Sequence, residues 1–170
     1  MTVAHRVVVW STGGVGAHAV EAITRRPDLD LVGVWVHSAE KVGRDIGELV
    51  GLDPLGLPAT DDADALIALQ PDCVVYAASG PERGAGAVPD YERLLRAGIN
   101  VVTTTSTELV FPPAADETLR RRLADAATAG GVSLYASGIF PGFASDELAL
   151  LLTTMSREIR TLRVIEISLN

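Results

Sequence analysis

The strongest chemical pattern in this sequence is Ser11-Thr12-Gly13-Gly14-Val15-Gly16, six residues close to the N-terminus. An apolar run, Val7-Val8-Val9-Trp10, precedes them, and a stretch of helical period follows. Glycines spaced in this way between a strand and a helix match the turn that cradles the pyrophosphate of a dinucleotide. Gly13 would let the backbone approach the phosphates, and Gly16 would let the helix pack closely on the strand. The helix N-terminus adds free N–H groups and about half a positive charge. Ser11 stands where the fingerprint has its first glycine, so the turn is expected to keep a negative φ there.

Cofactor choice in such a site rests on the tip of the second strand, where an acid usually takes the ribose 2′-hydroxyl of NAD. Here the tip reads Val36-His37-Ser38-Ala39-Glu40-Lys41, and Lys41 is the single lysine of the chain. No acid sits at the strand tip itself to repel a 2′-phosphate, and Ser38 and Lys41 could hold one. NADP(H) is therefore the expected cofactor, with NAD(H) still open because Glu40 is close by. His37 reads equally as a stacking partner for the adenine and as an ordinary exposed residue.

Three further loops would reach the same cleft: Ser79-Gly80-Pro81, Thr103-Thr104-Thr105-Ser106-Thr107-Glu108, and Gly138-Ile139-Phe140-Pro141-Gly142-Phe143. Ser79 and Gly80 would border the ribose and nicotinamide, while the backbone of Thr103, Thr104 and Thr105, with Pro141 and Gly142, would frame the ring. Each loop also reads as a plain turn, because glycine and proline punctuate such segments. Glu108 is the one acid at a strand end in this cleft. A carboxylate there could orient an ammonium or act as base toward a water attacking an iminium; equally, it could be a surface residue or a helix start. Cys73 reads as buried filler, and His5 and His18 as ordinary surface or packing residues. No metal-ligand spacing and no nucleophile elbow is present.

Strand–helix alternation would position these loops. Strands are expected over 6–10, 31–37, 73–78, 99–104 and 132–135, with a weaker candidate at 59–60. Their apolar runs are unbroken, as strands covered on both faces require, which points to an α/β fold with a doubly wound parallel sheet. Val15, Ala19, Ala22 and Ile23 mark a first helix. A second has Tyr91, Leu94 and Leu95 on one face, opened by Pro89 and stopped by Gly98; a third carries Leu119, Leu123, Ala126 and Ala127 and is closed by Gly130. The pattern changes after 142. A helix with Leu148, Leu151, Leu152 and Met155 on one face leads to the alternating Ile165-Glu166-Ile167-Ser168-Leu169. That alternation suits a strand with one wet face. Residues 1–142 are thus expected to form the dinucleotide-binding domain (a Rossmann fold). Residues 143–170 would be the connecting helix and first strand of an incomplete, truncated α+β domain.

Composition narrows the function classes. With 170 residues, 48% hydrophobic and 21% charged, the chain has the makeup of a globular domain. Its net charge of −8 and the isolated Arg120-Arg121-Arg122 run argue against nucleic acid. No stretch reaches the roughly 18 apolar residues of a membrane helix. One cysteine excludes an internal disulfide and fits a cytoplasmic protein.

Taken together, the Arg6–Trp10 strand, the phosphate loop, Val36-His37-Ser38-Ala39-Glu40-Lys41-Val42-Gly43, the Thr103-to-Glu108 stretch and the Gly138-to-Phe143 loop resemble a known group. They are similar to the amine dehydrogenases related to 2,4-diaminopentanoate dehydrogenase, which share the dihydrodipicolinate reductase N-terminal fold. The resemblance covers nearly the whole chain. It implies NAD(P)H-dependent reductive amination of a ketone or aldehyde with ammonia, reversible to oxidative deamination of an amine. It also implies that Glu108, in Glu108-Leu109-Val110-Phe111-Pro112, matches the active-site glutamate, and that the full-length protein is a homodimer. Two alternatives stand beside it. One is a non-catalytic NAD(P)-binding module. The other is a different enzyme on the same fold: an amino-acid dehydrogenase, which would need an arginine clamp such as Arg83, or a dihydrodipicolinate reductase, whose His-His motif has no counterpart here.

Overall fold

The computed structural model describes residues 3–78 and 83–167. Five strands, β1 (His5–Trp10), β2 (Leu29–Trp35), β3 (Cys73–Tyr76), β4 (Asn100–Thr103) and β5 (Leu134–Ala136), form one sheet in the order β2-β1-β3-β4-β5. Every neighbouring pair is parallel, in keeping with the unbroken apolar runs. The chain steps outward from β1 to β2 and then returns across β1 to β3. Strand order reverses at β1, which opens a crevice beyond the C-terminal ends of β1 and β3. The weak candidate at 59–60 lies on the outer edge of β2 as a single bridge: Val36 N donates to the Thr60 carbonyl (2.8 Å) and Thr60 N to that of Val34 (3.1 Å).

Helices α1 (Gly14–Thr24), α2 (Ile46–Val50), α3 (Ala63–Ala68), α4 (Arg83–Arg96), α5 (Glu117–Gly130) and α6 (Leu148–Thr153) complete the chain. Successive strand residues feed opposite cores. Val7 and Val9 pack with Val20, Ile23, Val34 and Ile46 on the α1–α2 face. Val8 and Trp10 pack with Leu66, Val74, Tyr76, Tyr91, Leu95 and Leu123 on the face covered by α3, α4 and α5. Fully burying one such aliphatic side chain stabilises the fold by about 1.5–3 kcal/mol. Cover thins across the sheet on the α1 side: Val75 and Val102 are half-buried there, and Tyr135 is 56% exposed.

An aromatic stack closes the other side. Trp10 lies face to face with Trp35 (ring centroids 5.2 Å) and with Tyr76 (5.8 Å). Trp35 Nε1 donates to the Asp61 carbonyl, whereas Trp10 Nε1 is buried with no hydrogen-bond acceptor among the described residues.

Three expectations are corrected. Pro89 does not open α4 but lies inside it. The ring removes one ladder bond, yet Ala87, Val88, Tyr91, Leu94 and Leu95 beside it are all buried, and that packing outweighs the loss. Helix α5 is closed by Gly131 (φ 68°) rather than by Gly130. Gly130 serves close packing instead, because a Cβ there would come within 1.8 Å of the Leu95 carbonyl oxygen on α4. The expected strand around Ile165 is not formed within the described residues, and Ile165 and Ile167 are exposed. A lone extended segment has no ladder to join.

Candidate active site

The phosphate loop turns directly out of β1. Ser11 N extends the ladder by donating to the Trp35 carbonyl (2.9 Å), and Ala17 N donates to that of Gly13 (2.8 Å), starting α1. Ser11 has φ 98°, not the negative value expected of a serine. The turn is too tight for a relaxed conformation, and the serine is held there by its ladder bond and by its Oγ, which accepts from Gly13 N at 3.3 Å. Among the described residues no side chain caps α1, which leaves its N-terminus without the usual side-chain acceptor. Gly14 is exposed with open space above it, while Gly16 is buried against Ser11. Val15 is exposed at the mouth.

The tip of β2 meets this loop through Lys41. Its Nζ donates to Thr12 Oγ1 at 3.1 Å, setting an ammonium beside the glycine-rich turn. A short turn, Ala39–Lys41, presents it, closed by Lys41 N donating to the Ser38 carbonyl (3.0 Å). Behind the turn, Gly43 N donates to the Ala59 carbonyl (2.8 Å). Asp45 gathers the next loop by accepting from the backbone N–H groups of Leu55, Gly47, Gly56 and Leu57 (2.7–3.2 Å). The bond from Leu55 N and the others like it hold this carboxyl below its ordinary range. His37 is exposed, with its ring tilted against Trp35 at 6.0 Å.

The loop after β4 is anchored from beneath. Thr103 and Ser106 are fully buried polar residues, and both hydroxyls meet the phenol of Tyr91, at 2.8 Å and 3.1 Å. Thr103 Oγ1 also accepts from Thr105 N, and the Thr103 carbonyl accepts from Ser137 N (2.9 Å). Thr103 therefore stands behind the cleft, and Thr104 is the exposed residue at its wall. Glu108 rides on a single turn, Thr107–Leu109, between Ser106 and the buried Leu109, with its own carboxylate in solvent. Burial first, and the nearby charge of Glu108 in addition, push the Tyr91 phenol above its ordinary pKa against the pull of its hydroxyl partners.

The loop after β5 faces them. A cleft of about 540 Å³ opens between Val15, His18, Thr104, Thr107, Ile139, Phe140 and Pro141, and Glu166 comes back to its edge. Gly142 is buried at φ 135°, its N–H donating to Ser145 Oγ and Asp146 Oδ2 (both 2.9 Å). Val15, Thr104, Pro141 and Thr107, the neighbour of Glu108, thus line one cleft, and Lys41 joins the glycine-rich turn through Thr12. Ser79 and Gly80 lie outside the described residues. Sequence reasoning missed the Tyr91 hub, the cleft position of His18, and the contact of Lys41 with Thr12. A tyrosine among leucines on a buried helix face, opposite a Thr/Ser-rich strand end, is the signal that could have found the first. Among the described residues no group of three His, Cys, Asp or Glu could hold a metal ion. No helix there is long and apolar enough to cross a membrane.

The sequence family described as dihydrodipicolinate reductase, N-terminus, matches residues 5–109, from the start of β1 to the end of the Glu108 turn. The chain belongs to this family. Within the dihydrodipicolinate reductase N-terminal family it is similar to the amine dehydrogenase of Streptomyces virginiae, 45% identical over 161 residues, 94% of this chain and 45% of that protein. In structure it resembles the amine dehydrogenase of Mycobacterium smegmatis (TM-score 0.77, 29% identity, 90% of this chain and 45% of that one). It also resembles GenD2 from gentamicin A biosynthesis in complex with NAD (TM-score 0.61, 26% identity, 88% and 40%). The chain spans a little under half the length of these relatives. The likeness bears out the α/β reading and the resemblance to amine dehydrogenases drawn from the motifs.

Proposed function

We propose that this chain is the cofactor-binding part of an NAD(P)H-dependent amine dehydrogenase that prefers NADP(H). It would interconvert a ketone or aldehyde, with ammonia, and the corresponding amine. The observation that carries the reading is an uncapped helix N-terminus with the Lys41 ammonium on its turn, beside a cleft lined by Val15 of that helix and by Thr107, the neighbour of Glu108. The residues fit a dinucleotide: the helix start would take the pyrophosphate, and Lys41 a 2′-phosphate. NAD bound to the related GenD2 supports a nicotinamide cofactor. Such a cofactor, when bound, supplies or accepts the hydride. The chain's own part is binding and proton handling. Glu108 would hold the ammonium of the amine or of ammonia. It would also take a proton from the water that adds to the carbon–nitrogen double bond, and return it to the departing water in the other direction. Thr104, Ile139, Phe140 and Pro141 would wall the ring and keep bulk water off the reacting carbon.

An amino-acid dehydrogenase would hold its substrate carboxylate with an arginine such as Arg83, whose side chain lies outside the described structure. Exposed apolar residues on α6 and beyond it, Leu150, Leu151, Leu152 and Met155, support burial of this segment in a homodimer or against further chain. In the full-length protein, Glu108→Gln should lower turnover by about 10²–10⁴ while leaving NADPH affinity intact. Unchanged turnover would reject the role of Glu108. Binding of NADH much tighter than NADPH would reject the cofactor preference.

A further inference from the structure

We infer that Tyr91 is a positioning residue for the reaction, acting through Glu108; this rests on the amine dehydrogenase reading above. Tyr91 sits on α4, outside the crevice, and is fully buried. Its ring could be held by packing alone, edge-on to Tyr76 at 4.9 Å. Its hydroxyl has a different task. It joins Thr103, the last residue of β4, to Ser106, the residue before the Glu108 turn, and so spans the bend between strand and turn with two buried bonds.

Buried hydroxyls of this kind are costly to leave unpaired, so the bend is strongly held in one shape. Thr103 Oγ1 takes Thr105 N as a further partner, and Thr105 Oγ1 donates to the Ala78 carbonyl at 2.7 Å, tying the loop to the end of β3. Leu109, 4% exposed, fixes the far side of the turn in the core. The turn that carries Glu108 is laced by Leu109 N donating to the Ser106 carbonyl (3.1 Å) and Val110 N to that of Thr107 (3.2 Å). Its position is set by Ser106 on one side and Leu109 on the other, and Tyr91 is the residue that sets Ser106. The Tyr76 hydroxyl is held separately, donating to Asp90 Oδ2 at 2.6 Å on the same helix as Tyr91, which keeps the two rings in register.

Tyr91→Phe keeps the ring and removes the hub. In the full-length protein it should lower kcat by about 10- to 100-fold, the scale of a misplacement of about 1 Å, with the KM for NADPH and the NADPH dissociation constant within about twofold of wild type. In a Glu108→Gln background the same change should have almost no further effect on the residual rate, because Tyr91 acts through that carboxylate. A general structural defect would lower both backgrounds equally. Ser106→Ala, a milder change, should reproduce the loss, and combining it with Tyr91→Phe should add little. Full kcat in Tyr91→Phe, or an equal loss in both backgrounds, would overturn the inference while leaving a crippled Glu108→Gln to uphold the function. A fully active Glu108→Gln would overturn both.

Discussion

Gly16 offers a direct test of how the phosphate loop works. A Cβ added there would lie 2.0 Å from the Ser11 carbonyl oxygen and 2.8 Å from its carbon. Real Cβ contacts essentially never fall under 3.0 Å, so Gly16→Ala must separate α1 from Ser11 by at least 1.0 Å. Ser11 cannot readily yield, since it is already held at φ 98° by the ladder bond to Trp35. The helix start must move instead, carrying its N–H groups with it. Hydrogen bonds to phosphate that would form at about 2.9 Å then stretch to about 3.9 Å, beyond useful reach. Losing two such charge-assisted bonds costs about 3–6 kcal/mol, so NADPH affinity should fall at least about 100-fold. The strain of overpacking should also cost about 1–3 kcal/mol of stability, a fall of about 2–12 °C in Tm for a chain of this size. Calorimetric titration of the folded variant, well below its Tm, separates the two effects. A variant that binds NADPH within about threefold of wild type and melts at the same temperature would refute the reasoning.

Other perturbations probe the neighbouring contacts. Ser11→Gly removes a Cβ from a positive-φ position at the expense of one long bond to Gly13 N; it should raise stability by about 1 kcal/mol, or about 2–4 °C in Tm, and a lower Tm would show that the hydroxyl is what holds the turn. Lys41→Ala should weaken NADPH by about 10- to 100-fold and change NADH by less than about threefold, measured by parallel titrations; equal losses would place Lys41 on a phosphate that both cofactors share. Asp45 has a folded-state pKa below its ordinary 3.8, so the stability it contributes is fully present above that value and drains away as pH falls through the folded pKa. Against wild type, Asp45→Asn should therefore melt lower at pH 7, with the gap narrowing below about pH 4. A gap that stays constant down to pH 3 would show that the carboxylate's charge is not what the loop uses.

Much of the scaffold was legible because it rests on local rules. The unbroken runs Val7-Val8-Val9 and Val74-Val75 demanded a sheet covered on both faces, and Gly98, at φ 79°, stops α4 as its type and place suggested. The spacing Gly13-Gly14-Val15-Gly16 placed the helix start, since the need for close packing at Gly16 is written in the residue type. What escaped were features settled by tertiary contact. Pro89 is tolerated inside α4 because its neighbours are buried, and Gly130 is needed by Leu95 on another helix, 35 positions away in sequence. Lys41 and Thr12 lie 29 residues apart, so their pairing depends on the register of β1 with β2. Tyr91 looked like one more apolar residue of a helix face, because nothing in a linear pattern shows where a phenol hydroxyl ends.

The stacked pair at the ends of β1 and β2 gives the molecule an optical handle of its own. Trp10 and Trp35 are the only two tryptophans in the chain, and Trp10 directly precedes Ser11. Their emission overlaps the absorption of a reduced nicotinamide, and the phosphate loop begins one residue away. Excitation of these rings should pass to a reduced dinucleotide seated on that loop, quenching their fluorescence and lighting up the cofactor's own. Such a response would give the protein an intrinsic spectroscopic gauge of its occupancy, with no dye or tag required.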